Sequence, residues 1–532
     1  MQNKHVISSL PLLASVLGRK YGVKVHIGGS NACTDGRTIY LPSLAAESDE
    51  NTLGLVRGFI DHESAHLRAT DFEVLRIANL TPLEKHIWNI LEDYAVEHKL
   101  ADVFPGCRKN FDWLIRKMFL NSEGAQAQPI RDPGLRVIEW LLLTVRSWDV
   151  PELQPEIAAL AVKIESAMPG LLEKLLSSLS TVRQNSASTW DRIQKAQELV
   201  KILQRYLHLA LSDAEQGRAS TGQSGGKGSA GFDSRRARAL QSLDHLLTGN
   251  TALPQDFGSE ISHSLRLLHQ QSGEDTCVAI PASKHTWPLG REVLLSCRQA
   301  TTALRTRLQA LLQSLRQTRN RYGYAGKLDA NHLHKVPSGD ARIFRKNGEK
   351  QALNTAVHIL LDSSGSMSGE AMELAAQACF ALASALHPIP GISVAVTAFP
   401  GKILTDLGNG EHCRHTVVPL LRHKQKLHQQ FGITALGGTP MDSALWWVLQ
   451  DLHFQPEKRK IILVITDGEP DDLENTRKAI KSAMNLNVEV YGIGILEESI
   501  ATLLPEQRAR IIKSINELPA AMFTLLQKAL TH

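Results

Sequence analysis

Asp362-Ser363-Ser364-Gly365-Ser366 reads as DxSxS and places the Asp362 carboxylate and the Ser364 and Ser366 hydroxyls in a short loop directly after the apolar run Ala356–Leu361. A run of that length, closed by a turn signal, reads as a buried parallel strand. The carboxyl ends of such strands are where open α/β sheets bind ligands. Oxygen donors of this kind suit a hard cation such as Mg²⁺ better than zinc. Gly437-Gly438-Thr439-Pro440 offers a third hydroxyl ahead of a helical stretch, and a second buried strand, Lys460–Thr466, ends in Asp467-Gly468. No nucleophile–base pair is visible around these residues, so the chemistry they offer is binding and not bond breaking.

A different chemistry is written at His62-Glu63-Ser64-Ala65-His66, an HExxH motif inside the helix-compatible stretch GLVRGFIDHESAHL. On a helix, positions 62 and 66 lie one turn apart on one face. Two imidazoles there can share one Zn²⁺, and Glu63 can act as general base on a zinc-bound water whose pKa falls towards ~7. A third ligand is required. The helical stretch Asn89–Glu97 (NILEDYAVE) offers Glu92, Asp93 and Glu97.

Strand–DxSxS, then GGTP, then strand–TDG resembles the metal-ion-dependent adhesion site of von Willebrand factor A domains, over about Gln351 to His532. That resemblance implies Asp362, Ser364, Ser366, Thr439 and Asp467 as direct or water-bridged ligands of Mg²⁺ or Mn²⁺. It also implies an open position filled by a partner's carboxylate. The HExxH helix followed by an acidic helix resembles gluzincin-type peptidases, which implies Glu92 as the third zinc ligand, with Asp93 and Glu97 as fallbacks. Asn89 and Asp93 would then support the histidines. The strand pair before the HExxH helix suits the same fold, where a sheet edge holds a peptide.

The order of these parts, together with GKLDANHLHKVPSGDARIF at Gly326–Phe344, resembles the cobaltochelatase T-subunit family and its relatives, the nitric-oxide-reductase activation proteins among them. The family implies a MoxR-type AAA+ ATPase as partner and a client protein that is remodelled or loaded with metal. No GxxxxGK[ST] is present, so the ATPase is expected to be a separate chain. The chain departs from the cobaltochelatase subunit in one respect: a short Gly/Ser segment stands where that subunit has a long acidic one. This favours a paralogue with another client. The expected function is therefore a metal-dependent protein-binding adaptor. The alternatives are a zinc metallopeptidase that recruits substrate through its A domain, and a cobaltochelatase subunit of cobalamin biosynthesis. Whether the chain is an enzyme stays open, as does its oligomeric state.

The elements that must position these residues follow from pattern. Alternating strands (Ala356–Leu361, Ser393–Phe399, Lys460–Thr466, Val488–Ile493) and helices (Met372–Leu386, Met441–Leu452, Leu473–Met484) predict a doubly wound, mostly parallel, Rossmann-like α/β domain over 351–532. Before it, residues 1–120 form the zincin-like α+β part. Strands are expected at Val23–Ile27 and Arg37–Leu41, and helices at Leu53–Arg68 and Pro82–Leu100. Val6–Gly18 reads as a first amphipathic helix and not a signal peptide, because Ser8, Ser9 and Pro11 interrupt it. Residues 121–216 read as mainly helical, and 217–231 (GRASTGQSGGKGSAG) as a Gly/Ser linker. Residues 232–350 read as a second helical region. Within it, Arg291–Arg321 forms one basic helix with seven arginines against Glu292, a candidate docking surface for an acidic partner.

Composition sets the outer bounds. The chain has 532 residues, too many for one core. Its 43% hydrophobic and 21% charged residues describe a globular protein, and the net charge of +5 gives no signal for nucleic acid. Six scattered cysteines without a CxxC fit a reducing, cytoplasmic setting and no disulfide framework. No apolar stretch reaches the ~18 residues a membrane span needs, so no membrane partner is expected.

Overall fold

A computed structural model describes residues 9–120, 132–185, 188–220, 229–273, 275–282, 285–295, 306, 321–346, 354–401, 415–496 and 498–531. Helix α1 (Leu10–Tyr21) leads into a small sheet of β1 (Lys24–Ile27), β2 (Cys33–Thr34) and β3 (Thr38–Leu41). β1 runs parallel to β3, and β2 pairs antiparallel with β3 as an edge strand. β1 and the central strand β3 lie where expected; β2 lies inside the segment read as a loop.

A helical array follows: α2 (Glu50–Ala69), α3 (Phe72–Ala78), α4 (Pro82–Val103), α5 (Gly106–Phe119), α6 (Pro133–Arg146), α7 (Gln154–Ala167), α8 (Leu171–Asn185), α9 (Thr189–Ser220), α10 (Ser229–Leu247) and α11 (Phe257–Ser272). Helix starts follow sequence chemistry. The Asp49 carboxylate accepts from Thr52 N at the start of α2, and Thr81 with Glu84 forms a reciprocal capping box on α4, where Pro82 takes the first turn. Of the segment read as a linker, residues 221–228 lie outside the described residues, with α9 ending at Ser220 and α10 starting at Ser229. Most of the basic segment Arg291–Arg321 also lies outside them.

The C-terminal sheet has seven strands in the order β15–β14–β13–β9–β10–β11–β4. They are β4 (Ile280–Pro281), β9 (Thr355–Asp362), β10 (Ile392–Phe399), β11 (Thr416–Leu421), β13 (Arg459–Thr466), β14 (Val488–Ile495) and β15 (Ala509–Ile512). Helices α12 (Glu370–Leu386), α13 (Met441–His453), α14 (Leu473–Asn485), α15 (Ser499–Leu503) and α16 (Leu518–Thr531) cover it. Every residue of β9 and β10 is buried, which is why these strands read as mainly apolar runs without polar alternation. β11 pairs antiparallel with β10, and the edge strand β4 runs parallel to β11. Short pairs complete the fold: β5 (Trp287–Pro288) with β12 (Gln430–Gly432), and β6 (Arg321–Gly323) with β8 (Phe344–Lys346) and β7 (Lys327–Leu328).

Strand β4 comes from the region read as helical middle, so the sheet draws on residues well upstream of 351. The same segment ties the two ends of the chain together. Val278 N donates to Ile27 O (3.1 Å), Ala279 N to Ser443 O (3.1 Å) and Ile280 N to His415 O (2.9 Å). Gln450 on α13 donates to Pro11 O at 2.8 Å, and Arg19 sits 4.3 Å over the Phe454 ring. One apolar core accordingly runs from Leu10 and Ile39 through Phe59 to Trp446 and Leu449. Cys277 is disulfide-bonded, which corrects the expectation of a chain without disulfides. Among the described residues no helix is long and apolar enough to cross a membrane.

Candidate metal centres

The first centre forms at the carboxyl ends of β9 and β13. Asp362 closes β9 with its side chain wholly buried. Its Oδ1 accepts from Ser364 N (2.8 Å) and its Oδ2 from the Thr466 hydroxyl (2.6 Å), so the adjacent strand β13 fixes the carboxylate. Burial, reinforced by the Asp467 charge, pushes its pKa up to about 6. Ser364 Oγ and Ser366 Oγ stand 3.0 Å apart, and the Ser366 hydroxyl donates to Asp467 Oδ1 at 2.8 Å. A Cβ on Gly468 would lie 3.3 Å from Thr439 Oγ1 and 3.8 Å from Ser366 Oγ, which brings the third hydroxyl to the same spot. All five residues named from the sequence are therefore brought together, with Ser366 exposed and Asp362, Ser364 and Thr439 buried.

The GGTP loop is held by contacts the sequence does not announce. Thr439 N donates to Asp471 Oδ1 (2.9 Å), and Asp471 N donates back to Thr439 O (3.0 Å). A Cβ on Gly438 would meet Asp471 Oδ2 at 2.8 Å, so only glycine lets that carboxylate reach the loop. Gly437 has φ +96°, the left-handed region, and its carbonyl accepts from Gly365 N at 2.9 Å. The loop is thus stitched to the DSSGS turn. The set is hard, oxygen-only and open to solvent on the Ser366 side, which fits Mg²⁺ or Mn²⁺.

The second centre lies between α2 and α4. His62 and His66 lie one turn apart on α2, with ring centroids 4.8 Å apart. His66 Nε2 lies 3.1 Å from Asp93 Oδ1, and its Nδ1 is 3.0 Å from the Thr70 hydroxyl. His62 Nδ1 is 2.8 Å from Glu97 Oε1. Arg146 closes α6 wholly buried and bridges both acids, at 2.6 Å to Glu97 Oε2 and 3.1 Å to Asp93 Oδ2. Each of His62, His66 and Asp93 offers a ligand atom within 4.8 Å of the others. Burial lowers the His62 pKa, but the Glu97 hydrogen bond and the charges of Asp93, Glu97 and Glu63 outweigh it and raise it to about 9.

Glu92, the sequence's first choice as third ligand, points elsewhere. Its carboxylate accepts from Arg192 Nε (2.6 Å) and Nη2 (3.1 Å) and from the hydroxyls of Thr70 (2.9 Å) and Thr189 (3.1 Å). Neighbouring helix residues point about 100° apart, and Arg192 on α9 claims the direction that Glu92 faces. Asp93, one of the fallbacks, takes the place beside His66. Glu97, the other, supports His62 from behind. The donor set of two imidazoles and a carboxylate, each with an outer partner on its far side, fits zinc.

Glu63 and Asn89 line an open cavity of about 640 Å³ together with both histidines. Burial raises the Glu63 pKa. Cys33 and Thr34 of the edge strand β2 form one wall, and α11 forms another. A Cβ on Gly258 of α11 would stand 3.0 Å from His62 Nε2. Sequence reading missed α11, Arg146 and Arg192. Arg146 could have been found, because an arginine closing the apolar run WLLLTV at the end of α6 needs a buried acid; Arg192 carries no such signal.

Comparison with known proteins agrees with these two regions. Residues 356–524 match the family model described as von Willebrand factor type A domain, and residues 9–198 match that described as cobalamin biosynthesis protein CobT. No curated protein matches the chain. Among solved structures, proximal thread matrix protein 1 from the mussel byssus is 13% identical, with a TM-score of 0.27 over 33% of this chain and 46% of that one. A form of the same mussel protein with a zinc-occupied MIDAS motif is 14% identical, with a TM-score of 0.27 over 34% and 46%. Manganese-loaded TRAP protein of Plasmodium vivax is 15% identical, with a TM-score of 0.25 over 32% and 72%. The match thus spans under half the length of the mussel protein. Residues 356–524 form a von Willebrand factor type A domain, and residues 9–198 of the same chain are similar to the CobT family.

Proposed function

We propose that the chain is a metal-dependent protein-binding adaptor that works with a MoxR-type AAA+ ATPase to remodel a client protein or load it with metal. The observation that carries this reading is the convergence of Asp362, Ser364, Ser366, Thr439 and Asp467 on one solvent-facing sheet end. Mg²⁺ or Mn²⁺ held there would supply an open coordination position for a partner's carboxylate. The chain's own residues pre-organise the site. Thr466 and Ser364 N fix Asp362, Asp471 fixes the Thr439 loop, and Ser366 leaves the outer side free. The test is a pull-down with the full chain in Mg²⁺ and in EDTA, with Asp362→Ala as control. Partners recovered only by the wild type in Mg²⁺, an AAA+ ATPase among them, are the expected result. Equal recovery in EDTA would overturn the reading.

The cavity over His62 and His66 favours a second reading, a zinc hydrolase. His62, His66 and Asp93 would hold the ion, which supplies an acidified water when bound. Half-buried Glu63 faces the same cavity and would take a proton from that water. Glu63→Gln should keep zinc and lose cleavage, whereas His66→Ala should lose zinc. Zinc-loaded protein whose cellular activity ignores Glu63→Gln would leave only a structural ion. The match of residues 9–198 to a cobalamin-biosynthesis family favours the third alternative, a cobaltochelatase subunit; the identity of the captured client discriminates it.

A further inference from the structure

The A domain carries a second cluster of metal-ligating side chains that the adhesion-type site does not use. His358 sits in the middle of β9, four residues before Asp362 and so about 13 Å from it along the strand. His423 follows β11, and Asp451 lies near the end of α13. The two rings are 5.4 Å apart. His358 Nδ1 is 3.6 Å and His423 Nε2 is 3.8 Å from Asp451 Oδ2, both too long for hydrogen bonds. Both nitrogens are buried and have no hydrogen-bond partner.

The other nitrogen of each ring is engaged. His358 Nε2 lies 2.8 Å from the Thr397 hydroxyl, and His423 Nδ1 lies 3.0 Å from the Ser393 hydroxyl. In the tautomer that donates a ring N–H to each hydroxyl, both lone pairs face the Asp451 oxygen. Burial holds His358 well below the ordinary histidine pKa and takes His423 down to about 4. Three acceptor atoms converging in a largely buried site need a cation or a bound donor.

We propose that His358, His423 and Asp451 form a transition-metal site that takes Zn²⁺. Ligands about 2.0–2.1 Å from a tetrahedral zinc stand about 3.3–3.5 Å apart, so the two distances to Asp451 need to close by only a few tenths of an ångström. Thr397 and Ser393 are the outer partners that zinc-bound imidazoles ordinarily have. Arg422 acts on Asp451, and Lys424 and Lys460 act on His423. The two imidazoles, and not these neighbouring charges, select a metal with affinity for nitrogen ligands over Mg²⁺. Asp451 is about a third exposed, which gives the ion an entry path.

The test uses the full chain carrying His66→Ala, so that the N-terminal cluster is silent. After chelator treatment it is dialysed against buffered Zn²⁺, and zinc per chain is measured by elemental analysis. Asp451→Asn and His423→Gln in the same background should each bind one zinc fewer, with unchanged near-ultraviolet circular dichroism. Thr397→Val should bind zinc about 10–100-fold more weakly, because it removes only an outer partner. The proposal is overturned if the His66→Ala chain takes up no zinc beyond that of Asp451→Asn. A water molecule filling the cluster gives that same result and counts against it.

Discussion

Replacing Arg192 by methionine separates a structural carboxylate from a ligand. Glu92 and Arg192 both have wholly buried side chains and meet at 2.6 Å. Without Arg192, Glu92 keeps only the Thr70 and Thr189 hydroxyls, at 2.9 and 3.1 Å. Breaking a buried pair by removing one member typically costs about 3–5 kcal/mol, because a charge is left uncompensated. The two hydroxyls persist and soften the loss, so about 3 kcal/mol is expected. No solvent reaches the pair, and no discount for screening applies. The double variant Glu92→Met, Arg192→Met removes both charges and should return to within about 1–2 kcal/mol of wild type. Urea denaturation followed by circular dichroism reads these differences, and elemental analysis of the same samples reads zinc. Arg192→Met should lose stability while keeping zinc, whereas Asp93→Asn should lose zinc. A destabilisation below about 1 kcal/mol in Arg192→Met, or a double variant no better than the single, would refute the assignment of Glu92 to scaffolding.

Asp362→Ala should abolish the stabilisation by Mg²⁺, about 2.7 kcal/mol at a hundredfold excess over Kd in the wild type; a thermal melt with and without the ion checks it. Gly438→Ala puts a methyl 2.8 Å from Asp471 Oδ2 and should weaken ion binding while leaving the sheet folded, as ion titration followed by fluorescence would show. Glu260 on α11 has its pKa raised to about 7 by burial and the Asp256 charge. The native state then holds a proton that the unfolded chain releases near pH 4.5, so stability falls as pH rises from about 4.5 to 7. Glu260→Gln should match wild type at pH 4 and exceed it at pH 8 in urea denaturation. Proteolytic nicking within 217–231 should leave the fragments co-eluting on gel filtration, since α10 packs on α6 and α9 and the core is continuous; separation of the pieces would contradict the shared core.

Much of the A domain was legible because its determinants are local. The apolar runs of β9 and β13 are buried on both faces, and the side chains that end them are one to five residues away. The HExxH pair was legible for the same reason, since one helical turn fixes the spacing. The choice between Glu92 and Asp93 was not. It depends on how α4 is rotated in the core, and on Arg192, a hundred residues later. Asp471 was hidden because its role is to hold Thr439 through backbone contacts, which leave no pattern in residue types. Strand β4 was hidden because two residues, one of them proline, carry no period. The His358–His423–Asp451 cluster joins a strand, a loop and a helix, and no sequence spacing announces it.

Strand β4 also bears on how this domain can be inherited. It covers the outer edge of β11 through Thr416 and Val417, and Trp287 of β5 fills the space left by Gly432 on β12. An A domain cut out at residue 351 would leave both places bare, and an uncovered strand edge is a template for association with other chains. As a unit of recombination the domain is therefore discontinuous. A gene fusion that moves it must carry the stretch around 276–290 as well, although more than sixty residues of chain separate that stretch from β9.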